Sequence, residues 1–60
     1  MNFGENLKTL RKNKKISQEE LAYKVGVTIQ AVSRWEVGDA YPEMSNIVVI
    51  CSILKCNIYV

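Results

Sequence analysis

Residues 28–36, "TIQAVSRWE", hold the side chains of this 60-residue chain most suited to recognising another molecule. Thr28 and Ser33 supply hydroxyls, Gln30 a carboxamide that both donates and accepts, and Arg34 a planar guanidinium fork. At about 100° per residue along a helix, Ile29, Gln30, Ser33 and Arg34 share one arc, and Ala31, Val32, Trp35 and Glu36 share the opposite one. The pattern allows directional hydrogen bonding to a surface in front of the helix, with a core behind it. Covalent catalysis has much less to work with. There is no His and no glycine-rich phosphate loop, and a chain of this size can hardly enclose a substrate pocket. The expectation is a non-enzyme that needs no cofactor and no small-molecule substrate. Cys51 and Cys56 lie five apart, and without His they cannot complete a four-ligand zinc set. Both read as buried free thiols rather than metal ligands.

Positioning that arc falls to a chain able to bury only about 60% of its unfolded surface, enough for one core and therefore one domain over 1–60. A content of 48% hydrophobic and 23% charged residues with a single Pro excludes a disordered tail and suits a mostly helical fold. Met1 to Asn6 lacks an apolar run, and Ile47 to Cys51 is far short of the ~20 residues that cross a bilayer, so no membrane partner and a cytoplasmic location are expected. The net charge is only +2, but residues 1–36 hold seven of the eight Lys and Arg against four acids. That asymmetry admits an anionic partner.

Phe3, Leu7 and Leu10 follow the i, i+4, i+7 spacing of a helix face, flanked by Lys8, Arg11 and Lys12, and this first helix ends near Asn13. "SQEE" fits a capping box, Ser17 accepting from the third helical amide while Glu20 reaches back to Ser17. The second helix runs through Leu21, Ala22 and Val25 and stops at Gly26, which takes a left-handed conformation without a Cβ penalty. Thr28 caps a third helix over 29–37, closed by Gly38. After Pro42, the residues Met44, Ile47, Val48, Cys51 and Leu54 mark the inner face of a fourth helix, with Lys55 near its negative end. Asn57 could cap a fifth, but the chain ends three residues later, so that helix is expected to be missing or reduced to a turn.

Two helices joined by so short a turn nearly touch, which calls for a small side chain at the crossing, met by Ala22, and a positive φ, met by Gly26. Leu21, Val25, Val27, Val32 and Trp35 would fill the wedge. With these requirements met in order, "SQEELAYKVGVTIQAVSRWEVG" resembles the helix-turn-helix of the phage Cro and repressor family. Nearly the whole chain is similar to that family's small all-α, lambda-repressor-like domain of four to five helices. The "LR" of the first helix, "SRWE" and the "YP" before the fourth add to the match.

The resemblance implies a sequence-specific binder of double-stranded DNA, a transcriptional regulator expected to repress, acting as a homodimer on a roughly palindromic operator. The third helix would enter the major groove. Gln30 would pair with adenine, Arg34 with guanine, and Ile29 would press on a thymine methyl, with Ser33 a further candidate base contact. Ser17, Gln18, Thr28, Lys14 and Lys15 would face phosphates. Arg11 and Glu36 match a family pair joining the first helix to the end of the third, a structural role shared with Ala22, Gly26, Val32 and Trp35.

Plainer readings exist for each. Thr28 and Ser17 can be caps and nothing more, Gln30 and Arg34 solvated helix residues, and the lysines an ordinary surface. Arg11 and Glu36 could be separate surface charges, worth little even if they meet. Asp39 stands where relatives often carry a basic residue, and it would repel a phosphate. Val49, Tyr59 and Val60 replace polar residues of relatives, so the C-terminal surface is expected to be apolar and a dimer contact is open there. The rival function is a protein-interaction module on the same fold, such as an antitoxin or adaptor. The ending at Val60 suggests a fragment or a minimal domain.

Overall fold

The first three helices each begin at a short polar side chain that accepts from a backbone amide one turn on. Asn2 Oδ1 accepts from the Glu5 N–H at 2.8 Å, Ser17 Oγ from Glu20 at 3.0 Å, and Thr28 Oγ1 from Ala31 at 3.2 Å. The computed structural model describes residues 2–54, in which these caps open α1 (Phe3–Asn13), α2 (Gln18–Val25) and α3 (Ile29–Val37), followed by α4 (Met44–Leu54). The end expected for the first helix near Asn13 and the bounds expected for the second and third are met, those of α2 and α3 because a local cap and a glycine stop set them. The expectation of a fifth helix missing or reduced to a turn, with Lys55, Cys56, Asn57, Tyr59 and Val60, lies outside the described residues. Among the described residues no helix is long and apolar enough to cross a membrane.

Gly26 (φ 88°) and Gly38 (φ 91°) close α2 and α3 in the left-handed conformation. α1 ends in the same way but without a glycine, with Lys15 at φ 58°. The capping box at α2 is only half made. The Ser17 cap forms, whereas Glu20 turns toward Lys24, 3.9 Å away on the same exposed face, and does not bond back to Ser17.

Phe3, Leu7, Leu21, Ala22, Val32, Trp35, Ile47, Ile50 and Leu54 form the core, with Leu10, Val25 and Val27 half-buried against it. α1 packs on α3, and α2 on both α3 and α4. The approach of α1 to α3 is so close that a Cβ on Gly4 would lie 2.5 Å from the Trp35 carbonyl oxygen and 2.6 Å from that of Glu36. α4 corrects the expected face. Ile47 and Leu54 are inside, but Met44 (66% exposed) and Val48 (56%) point outward, Ile50 is fully buried, and Cys51 is a half-buried free thiol. The helix sits rotated from the expected face because MSNIVVICSIL carries no charge to mark its outer side.

Candidate nucleic-acid interface

The outer face of α3 is built from behind. Val32 and Trp35 are buried and Ala31 half-buried, fixing the helix on α1 and α2 and leaving Ile29 (43% exposed), Gln30 and Arg34 on the outside, with Ser33 half-buried at their edge. Thr28, exposed at the head of this arc, caps the helix and still presents its hydroxyl near the entry. The turn that aims α3 is closed by two amides, Gly26 and Val27, converging on the Ala22 carbonyl at 2.8 and 2.9 Å. A Cβ at Gly26 would meet nothing within 4 Å, so the positive φ alone requires glycine.

The far end of α3 is held by a polar clamp. Arg11 Nε donates to Glu36 Oε2 at 2.7 Å and its Nη2 to Oε1 at 3.2 Å, while Nη1 donates to the Ile16 carbonyl at 2.8 Å. Gln18 Nε2 adds a further bond to Glu36 Oε1 at 2.9 Å. The two charged side chains are 10% and 2% exposed, which overturns the view of Arg11 and Glu36 as surface charges. Buried in this way, an isolated carboxylate would be costly, and the fork geometry of Arg satisfies it as a Lys could not. Among the described residues no buried side-chain nitrogen or oxygen lacks a partner. One network therefore ties α1, the α1–α2 turn, the start of α2 and the end of α3.

Gln18 was expected to face phosphate, yet it is half-buried and one amide hydrogen is committed to Glu36. Of the backbone amides of the first turn of α2, that of Glu20 is taken by the Ser17 hydroxyl, and those of Gln18 and Glu19 remain available beside it. Lys14 and Lys15 lie exposed in the turn just before, adding positive charge to that end. Asp39 is also exposed, and its amide bonds the Arg34 carbonyl at 2.9 Å. Gly4 and the Ile16 carbonyl, neither of them marked out from the sequence, both help set α3. A glycine inside an otherwise well-formed helix was the available signal for the first, whereas nothing local marks the second.

A family model described as "Helix-turn-helix" matches residues 7–60. The HTH-type transcriptional regulator YqaE of Bacillus subtilis is 38% identical over 56 residues, covering 93% of this chain and 48% of the relative. The HTH-type transcriptional activator BcrR of Enterococcus faecalis is 38% identical over 58 residues, covering 97% of this chain and 28% of the relative. The chain thus spans less than half the length of these curated relatives. A crystal structure of the P22 c2 repressor of a Salmonella phage, in complex with a synthetic operator, has a TM-score of 0.91 and 33% identity, with 97% of this chain and 88% of that one covered. Capped helices, a glycine turn and a buried inner face on α3 agree with these matches, and the chain belongs to the helix-turn-helix family.

Proposed function

We propose that this chain binds double-stranded DNA as a transcriptional regulator, with α3 lying in the major groove. The observation that carries the reading is the outward polar arc of α3, held rigidly from behind by Trp35 and the Arg11–Glu36–Gln18 clamp. In that position Gln30 addresses adenine N6 and N7, Arg34 guanine O6 and N7, and Ile29 a thymine methyl, while Ser33 sits at the margin of the contact. The Gln18 and Glu19 amides at the start of α2, with Ser17, take a phosphate. Thr28, Lys14 and Lys15 flank it, and Gln18 contributes through whatever hydrogen-bonding capacity Glu36 leaves free. A similar repressor seen with its operator supports duplex DNA as the partner.

Two copies reading half-sites about one helical turn apart would suit so small a body. Repression follows where the operator overlaps the promoter. The exposed Asp39 favours the rival adaptor reading, because it weakens the loop that would meet the backbone. A gel shift against random duplexes at two salt concentrations separates the readings. A DNA reader binds and weakens by several log units per log unit of salt, whereas an adaptor leaves the duplex unshifted at both. Selection from a random duplex pool then yields the operator.

A further inference from the structure

Val37, the last residue of α3, is 70% exposed, the most open apolar side chain on that helix. At about 100° per residue it falls between Ser33 and Gln30, inside the outer arc that runs from Ile29 to Arg34. Gln30, Ser33, Arg34 and Val37 thus follow the i, i+3, i+4, i+7 spacing of a single stripe. The first three can hydrogen-bond to base edges, whereas Val37 presents only an isopropyl group. A helix lying lengthwise in the major groove can read bases with such a stripe from its first turn to its last. We propose that Val37 is a specificity-determining residue that reads the C5-methyl group of a pyrimidine in the major groove. Resting on the DNA reading above, it adds one base pair to the half-site.

The position of Val37 is fixed by the chain around it. The Gly38, Asp39 and Ala40 amides converge on the Arg34 carbonyl at 3.0, 2.9 and 3.3 Å, folding the chain back over the end of α3. A Cβ at Gly38 would meet nothing within 4 Å, so the space beside Val37 stays open. A lone exposed valine is ordinary, but this one continues a face whose other members address bases. Its chemistry selects what it meets there. Having no donor or acceptor, it cannot tell one hydrogen-bonding edge from another, and against a phosphate it would displace water without replacing its hydrogen bonds. The thymine methyl is the apolar group that a base pair presents in the major groove, and 5-methylcytosine carries the same group on the same ring carbon. Seven residues at 1.5 Å each put Val37 about 10 Å along the axis from Gln30, or about three base pairs. Ile29 lies at the opposite end of α3, so the two apolar side chains would read methyl groups at different positions.

The test begins with selection from a random duplex pool by the 60-residue chain. The selected site should carry a thymine about three base pairs from the pair at which Gln30→Ala loses its preference. Uracil in place of that thymine removes one methyl group and should weaken wild-type binding about fourfold, the worth of one buried methyl. Val37→Ala, with thermal unfolding to confirm that it folds, should bind the thymine and uracil duplexes equally at that position and respond as wild type does at every other thymine. Cytosine and 5-methylcytosine at the same position distinguish the two sources of the methyl. A gain from methylation in wild type but not in Val37→Ala shows that either pyrimidine serves, and no gain in wild type confines the contact to thymine. A selected site without that thymine would overturn the proposal. So would a Val37→Ala protein that keeps the wild-type response to uracil at every position, or that weakens operator and random duplex alike, which would move Val37 to the backbone. If wild type binds no duplex, the regulator reading fails as well. If it binds and only the response tied to Val37 is missing, this inference fails alone.

Discussion

Lys15 holds a left-handed backbone, φ 58°, in a turn where its own amide bonds the Lys12 carbonyl at 2.9 Å and the next amide, Ile16, bonds that of Arg11 at 3.1 Å. Glycine is the usual occupant of such a helix ending. Lys15→Gly should therefore stabilise the fold by about 0.5–1 kcal/mol, the relief of left-handed strain less the entropy glycine loses on folding. Thermal unfolding reads this as a rise of a few degrees. If Lys15 also meets a phosphate, the same variant binds DNA more weakly and its salt slope falls by about one unit. An unchanged slope removes Lys15 from the interface. At the outer arc, Arg34→Ala should relax the preference at one base pair by about 1–3 kcal/mol, whereas Lys14→Ala should weaken all sequences alike. Affinities for the operator and its single-base variants distinguish the two patterns, and equal losses on every sequence for Arg34→Ala would move that residue from base edge to backbone.

Between helices, the contact of α1 with α3 helps set the aim of the outer arc of α3, and it reverses an ordinary rule. Ala in place of Gly inside a helix normally gains up to about 1 kcal/mol. At Gly4 the added methyl would strike two backbone carbonyls of α3 that cannot rotate aside. Gly4→Ala should cost about 1–3 kcal/mol in urea unfolding, and a gain would show that α1 can slide freely. The clamp gives a second reversal. Arg11→Met alone leaves the Glu36 carboxylate buried beside Gln18 and should cost about 3–5 kcal/mol, while the double change Arg11→Met with Glu36→Leu should recover most of it. Additive losses in that cycle would mean the pair is not coupled. These long-range features were the least legible in the sequence. Caps at Ser17 and Thr28 and the stop at Gly26 act within four residues, so the pattern alone placed α2 and α3. Burial of Glu36 depends on a partner 25 positions away, and the inner face of α4 depends on what α2 presses against it, since Val48 and Ile50 are equally apolar. The side of α3 that faces out was readable because its two arcs differ in chemistry, whereas what Gln18 bonds was not.

Taken as one body, the molecule carries a net charge of +2 that is arranged rather than uniform. Lys14 and Lys15 stand beside the first turn of α2 and Arg34 on α3, while Asp39 and Glu43 follow α3 in the loop toward α4. The Gln18–Glu36 bond sets the basic turn beside the end of α3 from which the acidic loop continues, so a duplex lying along α3 would meet the two opposite charges near the same end. Backbone attraction at the basic turn raises affinity for every sequence, and the loop subtracts from it. Asp39→Asn keeps the side-chain shape and removes the charge, and the Asp39 amide bond to Arg34, being backbone, survives. The variant should bind operator and random duplex several-fold more tightly at about 50 mM salt, with the gain shrinking toward none by about 200 mM as the charge is screened. Specificity, the ratio between the two duplexes, should stay constant because no base contact changes. An Asp39→Asn protein with unaltered affinity at both salts would mean that the loop stays more than a Debye length from the duplex backbone.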